Sequence, residues 1–464
     1  MSEEYYFIGI GGAGMSVIAE LLWQEGYRVS GSDRQDSAVL DRLRARGITA
    51  HASHDAHQVP PEAVVVVSSA IRETNPELAQ ARARGQQVLH RSEALALAAR
   101  GKRFVAVAGA HGKTSTSALL TQALVACGAD PSCALGGPIL GLDSGALLGQ
   151  GDIFVAEADE SDGSFLNYRP TVALVTNIEA DHLDHFGSIE AFEGIFFEFA
   201  QRIVPGGALI CCAEDPGSAR LAARARTELT ELTVLTYGRA EYAPDLVLTD
   251  DWANASGSGG TVTVAAEPEL RADLNLQVTG AHNVLNATGA WGAGLALGFE
   301  PTQFAEALGA FRGAGRRFET KGVVAGRRVI VDYAHHPTEI EAALKQARLV
   351  AGTGRVVVVF QPHLYSRTLN FADRFARILA EADRVVLADI YAAREDPMPG
   401  VSSQLVVDRL LQAGVDVEYR AGATVNESAL LGAELCAPGD LLLLVGAGDI
   451  NQGADAVLDY WERV

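Results

Sequence analysis

The sequence predicts three α/β domains in series, each built on a largely parallel sheet, and three observations predict them. The first is length: 464 residues correspond to about three domains at roughly 150 residues each. The second is composition. Hydrophobic residues make up 48% of the chain and charged residues 20%, enough apolar material for several cores, which excludes a disordered or collagen-like chain. The third is pattern: short apolar runs alternate with helix-length amphipathic segments nearly throughout.

Taken in order, the chain reads as a strand over 5–10, a helix over 15–25 and a strand over 27–30, with a later strand of the same sheet over 63–67. The alternation pauses at 99–103 and restarts with a strand over 104–108, so the first domain is placed at 1–101. A helix over 116–126 and strands over 153–156, 172–176 and 208–212 follow. Residues 245–279 alternate and contain a Gly/Ser run at 256–260, which predicts an antiparallel hairpin. A Gly- and Arg-rich stretch at 311–317 marks the second boundary, giving a middle domain of 102–314 and a last domain of 315–464. Strands over 328–331, 356–360, 384–388 and 441–445, separated by helices, complete it.

Lys and Arg number 37 against 58 Asp and Glu, a formal net charge of −21. Repulsion of that size opposes broad binding of nucleic acid or an anionic membrane and leaves small anions held by local dipoles. Glu3 and Glu4 stand where a secretory peptide needs Lys or Arg, and no apolar run approaches the roughly 18 residues of a membrane span. The five cysteines are too scattered for a disulfide framework, and Cys211 and Cys212 read as packing in an apolar strand. A cytoplasmic protein, monomer or homodimer, is expected.

Two glycine-rich strand-to-helix turns stand out. Gly9, Gly11, Gly12, Ala13 and Gly14 follow a strand and open a helix, and Asp33 lies 19 residues beyond Gly14. Such a turn lets a diphosphate approach backbone N–H groups at a helix N-terminus, with Asp33 free to accept from a ribose hydroxyl. A nicotinamide or flavin site, another diphosphate ligand and a structural turn all remain open. The second turn is Gly109, Ala110, His111, Gly112, Lys113, Thr114 and Ser115. Its N–H groups can cradle phosphates, Lys113 can reach the β and γ oxygens, and Thr114 can hold Mg²⁺. Val107 stands where the usual phosphate loop has its first glycine, so this is a shortened variant. Glu157, directly after four apolar residues, should emerge at a strand end as the acid such a metal needs, whereas a solvated acidic turn accounts for Glu160 and Asp162.

Histidines need separate weighing. His182, among Asp181 and Asp184, suits a metal ligand or a proton carrier. His51, His54 and His57 recur every three residues in a loop-like stretch without cysteine and predict no metal site. Asp332, Tyr333, His335 and His336 follow a strand and precede a helix opened by Pro337, a placement that favours function. A dehydrogenase has no use for Lys113, Thr114 and Glu157, and a simple NTPase has none for the first turn. The economical reading is an enzyme that binds one diphosphate ligand, uses ATP, and joins a carboxylate to an amine.

At this point the chain resembles the Mur ligases of peptidoglycan synthesis. The motifs that carry the likeness lie at 7–16, 68–71, 109–115, 157–162, 176–184, 282–283, 315–318, 332–337, 361–367 and 446–449, in the family's order. The resemblance implies a Rossmann-like UDP-binding domain, a central ATPase-like domain and a Rossmann-like last domain. It implies an ATP- and Mg²⁺-dependent ligase that joins L-alanine to the carboxylate of UDP-N-acetylmuramate through an acyl phosphate. A murein-peptide recycling ligase, using the same nucleotide sugar, is the alternative. It places the UDP part at Gly11, Gly12, Ala13, Gly14 and Asp33 and at Ser68, Ser69, Ala70 and Ile71. ATP falls to residues 109–115, with Asn283, and further Asn286 and His282, toward the adenine, and Arg317 and Asp332 closing on it. Thr114, Glu157 and His182 would serve the metal. Tyr333, His335, His336 and Arg367 would position the alanine and the acyl phosphate, and the base stays open among His182, His335 and His336. Three departures stand out: no Lys between Lys113 and Lys321 for the carbamylated ligand of many relatives, Ala110 where Thr is common, and Leu364 where some members carry Arg.

Overall fold

The structure, a computed structural model, describes residues 3–142, 144–179, 188–393 and 395–463. Its first sheet has five parallel strands in the order Thr49–His51, Arg28–Ser32, Glu4–Ile8, Val64–Val67, Val88–His90. The chain builds outward on one side of Glu4–Ile8 and then returns to the other, so the order reverses between Glu4–Ile8 and Val64–Val67. Open α/β sheets bind ligands at such a reversal, beyond the carboxyl ends of the strands. The first glycine turn follows one of these two strands and residues 68–71 follow the other.

The second sheet is mixed and has ten strands. In order they are Glu267–Leu276, Gly257–Val264, Leu246–Asn254, Thr233–Arg239, Ala208–Cys212, Val172–Val175, Arg103–Ala108, Ile153–Ala158, Ser132–Ile139 and Ser144–Leu147. Its centre is parallel, with Arg103–Ala108 between Val172–Val175 and Ile153–Ala158. Val172–Val175 is buried throughout and Arg103–Ala108 from its second residue on, as strands covered on both faces require. The stretch expected as a hairpin is three strands, turning at 255–256 and 265–266. The glycines that suggested a turn lie inside a strand, where neighbours come close. A Cβ on Gly257 would stand 2.4 Å from the Leu276 carbonyl oxygen, and one on Gly260 2.9 Å from Leu248 Cδ1.

Six strands make the third sheet, in the order Glu319–Val324, Arg327–Asp332, Leu441–Val445, Val356–Phe360, Arg384–Leu387 and Val417–Tyr419. All pair in parallel except the first. Val356–Phe360 and Leu441–Val445 are buried along their whole length. The helix expected from 116 begins at Lys113, because Gly112 at φ +82° carries the loop directly into it.

Contacts divide the chain into two compact units. One comprises Met1–Asp251, Gly260–Asn275 and Val284–Phe311, the other Trp252–Gly259, Leu276–Asn283 and Arg312–Val464. Among the described residues no helix is long and apolar enough to cross a membrane. Burial pushes the Cys211 thiol up to about 12 and Cys212 up to about 11, which suits packing rather than redox work.

Candidate active site

In the first unit the second glycine turn joins strand Arg103–Ala108 to helix Lys113–Ala126. Gly109 at φ +131° and Gly112 at φ +82° hold backbone conformations that disfavour side chains, and the helix is capped by Gly112, which leaves its first N–H groups for an anion. The turn is clamped from the next strand. Asn177 accepts from the His111 N–H at 3.0 Å and donates to the His111 carbonyl at 2.9 Å, and Thr176 donates to the same carbonyl at 2.6 Å. His111 also pairs with Glu179 at 3.2 Å, and the Asn286 carboxamide lies against Gly112, 3.3 Å from where its Cβ would be.

Strand Ile153–Ala158 delivers the acids. Thr114 Oγ1 donates to Glu157 Oε2 at 3.0 Å, while Glu157 Oε1 accepts from the Gly136 N–H at 2.6 Å. Two hard oxygen donors thus stand side by side at the loop, a set that fits Mg²⁺. Lys113 Nζ lies 2.9 Å from Glu160, whose side chain is only 2% exposed, so Glu160 is a buried partner rather than the solvated turn residue expected. Burial pushes Glu160 up to about 7 with Lys113 pulling the other way. Burial disfavours charge on Lys113 as well, and the surrounding acids, Glu160 first, keep its pKa above the ordinary value. Asp162 is likewise engaged, accepting from Ser69 Oγ and from the Ser164 N–H.

The first glycine turn also lies in this unit. Gly9 at φ +82° passes within reach of Ile71, whose Cδ1 would stand 3.3 Å from a Cβ there, so the turn and residues 68–71 are neighbours. Ala13–Gln24 starts at Gly12 with no side-chain cap, leaving N–H groups for a phosphate. Asp33, expected to reach a ribose, accepts from the Gly11 N–H at 2.9 Å through Oδ2 and so braces the turn itself. His54 does not gather with His51 and His57. Its Nδ1 lies 2.9 Å from the fully buried Glu77, which also accepts from Tyr6 and Ser32.

The second unit brings another group together. Asp332 ends strand Arg327–Asp332 and accepts from the N–H groups of Phe318 and Ala334 at 2.8 and 2.7 Å, and burial pushes it up to about 6 against the pull of Arg317. Glu339 accepts from the N–H groups of His335 and His336 and thereby fixes the start of helix Pro337–Ala351. His335 packs edge-on against Tyr333 and His363, and burial lowers its pKa to about 4. Arg317 lies over the Tyr333 ring, His336 is buried against Phe371, and the buried Arg367 approaches His363 at 3.4 Å. Leu364, at φ +70°, holds a strained backbone one residue before helix Tyr365–Leu379. Asn283 and Gln346 both donate to the Thr279 carbonyl, at 2.8 and 2.9 Å, and burial lowers His282 to about 4.

His182 lies outside the described residues. Thr176 and Asn177 open the 176–184 motif, yet their hold on the loop shows only once the strand order is known. Arg91, bonded to Asp159 at 2.6 Å, carried no sequence signal.

Residues 4–103, 107–294 and 316–448 match the family models described as "Mur ligase family, catalytic domain", "Mur ligase middle domain" and "Mur ligase, glutamate ligase domain". A relative from Kineococcus radiotolerans, named UDP-N-acetylmuramate--L-alanine ligase, is 52% identical over 98% of this chain and 95% of its own. The solved UDP-N-acetylmuramate-alanine ligase of Thermotoga maritima superposes with a TM-score of 0.82 at 27% identity, covering 99% of both chains. A murein peptide ligase from Psychrobacter arcticus shares the fold, with a TM-score of 0.75 at 23% identity over 100% of this chain and 99% of that one.

Proposed function

The chain belongs to the Mur ligase family, and from that premise we propose that it joins L-alanine to the carboxylate of UDP-N-acetylmuramate, driven by conversion of ATP to ADP and phosphate. The observation that carries the proposal is the pair of glycine turns in one compact unit. One is built as a phosphate loop with Lys113, Thr114 and Glu157, the other stands at the reversal of a parallel sheet. The muramoyl carboxylate attacks the γ-phosphorus of ATP and the bond to ADP breaks. The alanine's neutral amine attacks the carbonyl carbon of the acyl phosphate, phosphate leaves, and the amine gives up a proton.

We assign the triphosphate to residues 109–115, where Lys113 exchanges its Glu160 partner for phosphate oxygens and spreads the charge that develops on the transferred group. Thr114 and Glu157, with His182, would hold Mg²⁺, which when bound shields the phosphate charge. Asn286 at Gly112, with Asn283 and His282, is assigned to the adenine, and Arg317 and Asp332 to the nucleotide. The UDP part goes to the first glycine turn, with Asp33 bracing it, and to Ser68, Ser69, Ala70 and Ile71. Tyr333, His335, His336 and Arg367 handle the amino acid and the acyl phosphate. With a pKa near 4, His335 stays neutral at physiological pH, which suits orienting the amine better than storing its proton. Domain limits of 1–101, 102–314 and 315–464 go with this reading, and limited proteolysis at the two junctions tests them.

Phosphate release from ATP and Mg²⁺ with UDP-N-acetylmuramate, with and without L-alanine, tests the function. Release that needs both, with the alanyl product seen by mass spectrometry, supports it. Turnover with an L-Ala-γ-D-Glu-containing peptide and none with alanine would assign the recycling reaction instead.

A further inference from the structure

The acidic turn that follows strand Ile153–Ala158 faces two ways. Toward the phosphate loop, Glu157 meets Thr114 and Glu160 meets Lys113. Toward the first sheet, Asp159 accepts from Arg91 Nη2 at 2.6 Å, and Asp162 accepts from Ser69 and lies 3.9 Å from the same Arg91 nitrogen. Arg91 opens helix Arg91–Ala98, and its Nη1 stands 3.7 Å from where a Cβ on Gly14 would be. A single guanidinium therefore spans from the first glycine turn to Asp159, a reach that suits its rigid planar fork. Asp159 is also one of the acids whose charge Lys113 feels.

Lys113 must leave a carboxylate in order to bind a phosphate, and Asp159, the residue directly before that carboxylate, would hold it back if left unneutralised. We propose that Arg91 is a positioning residue that couples the nucleotide-sugar site to the phosphate loop. One nitrogen neutralises Asp159, so that Glu160 is the one carboxylate Lys113 has to leave, besides the Gly109 carbonyl it also donates to, and the other is presented to the diphosphate at the glycine turn. The inference rests on the functional reading above, which places a diphosphate at one turn and ATP at the other.

Calorimetric titration of the full-length protein with a non-hydrolysable ATP analogue, and separately with UDP-N-acetylmuramate, tests it. Arg91→Gln weakens both ligands, each about tenfold, although the residue belongs to the first sheet's layer. Adding Asp159→Asn removes the surplus carboxylate and returns the ATP analogue to within about twofold of the parent, while the nucleotide sugar stays weak. Arg91→Lys keeps the charge and retains affinity for the ATP analogue, which provides a folded comparison should the glutamine variant not be stable. A parent that binds neither ligand would sink the functional reading and the inference with it. A parent that binds both overturns the inference alone in three cases: Arg91→Gln moves only the nucleotide sugar, Asp159→Asn restores nothing, or Arg91→Lys loses the ATP analogue.

Discussion

Lys113 and Glu160 lie 2.9 Å apart with side chains 17% and 2% exposed, and burying two charges costs about as much as their attraction returns. Such a pair does little for net stability, but it leaves the lysine ready to change partners. Its removal separates the two effects. Lys113→Met should cut turnover by roughly 10²–10³, since the transferred phosphoryl group loses its nearest cation. The same change leaves Glu160 buried without a counterion. An acid whose folded pKa stands above its unfolded one loses stability as pH rises between the two, here from about 4.5 to at least about 7. Urea unfolding at pH 5.5 and pH 8 should therefore show Lys113→Met losing more at pH 8, and Glu160→Gln added to it should erase that difference without restoring turnover. Equal losses at both pH values would sink this account. Asn177 acts differently, through the two hydrogen bonds by which it clamps His111. Asn177→Ala should raise the KM for ATP roughly tenfold, the range for losing a partly buried hydrogen-bond partner, with kcat changed only a few-fold; an unchanged KM would show that the loop holds its shape unaided.

At the scale of elements, the strand–loop–helix over 103–126 was legible because local chemistry writes it: an apolar run, glycines, then Lys and Thr opening a helix. What holds it in place was not. Thr176 and Asn177 are 65 and 66 residues from His111 in sequence, and Arg91 is 68 from Asp159. Thr176 and Asn177 meet His111 because Val172–Val175 lies beside Arg103–Ala108, and Arg91 meets Asp159 from the first sheet's layer, arrangements that no local pattern encodes. The same limit turned buried Glu160 into a supposed surface acid and strand glycines 257 and 260 into a supposed turn. The loop's fit to its neighbour strand makes a sharp prediction. A Cβ on Gly109 would stand 2.2 Å from Thr176 Oγ1 and 2.9 Å from the Asn177 carbonyl oxygen, at a φ of +131° that side chains rarely adopt. Gly109→Ala has to move the loop off those anchors, so ATP-dependent turnover should fall by roughly 10² or more, as misplacements of about an ångström do. Circular dichroism should stay near the parent's, because the strands on either side are buried independently of the loop. Near-normal turnover would mean that the loop is not held where the structure puts it.

For the molecule as a whole, a net charge of −21 says little about where acid will act first, whereas buried titratable groups say more. In the second unit, burial lowers His282 and His335 from 6.5 to about 4 and raises Asp332 from 3.8 to about 6. The signs oppose one another. A histidine whose folded pKa is depressed binds its proton more readily when unfolded, so its contribution to stability is complete above about 6.5 and is lost as pH falls toward 4. Asp332 ionises more readily when unfolded, so its contribution is complete below about 4 and is lost as pH rises toward 6. Two histidines against one aspartate leave the histidines ahead by roughly a few kcal/mol, a sizeable share of a domain's stability. The second unit should accordingly open on acidification from pH 6.5 to 4.5, and hydrogen–deuterium exchange mass spectrometry resolved to residues 312–463 should detect it. His282→Gln should remove most of the acid response, because the one remaining imidazole is then nearly offset by Asp332. If the variant opens along the same pH course as the parent, the burial of neutral His282 is not what sets that unit's tolerance of acid.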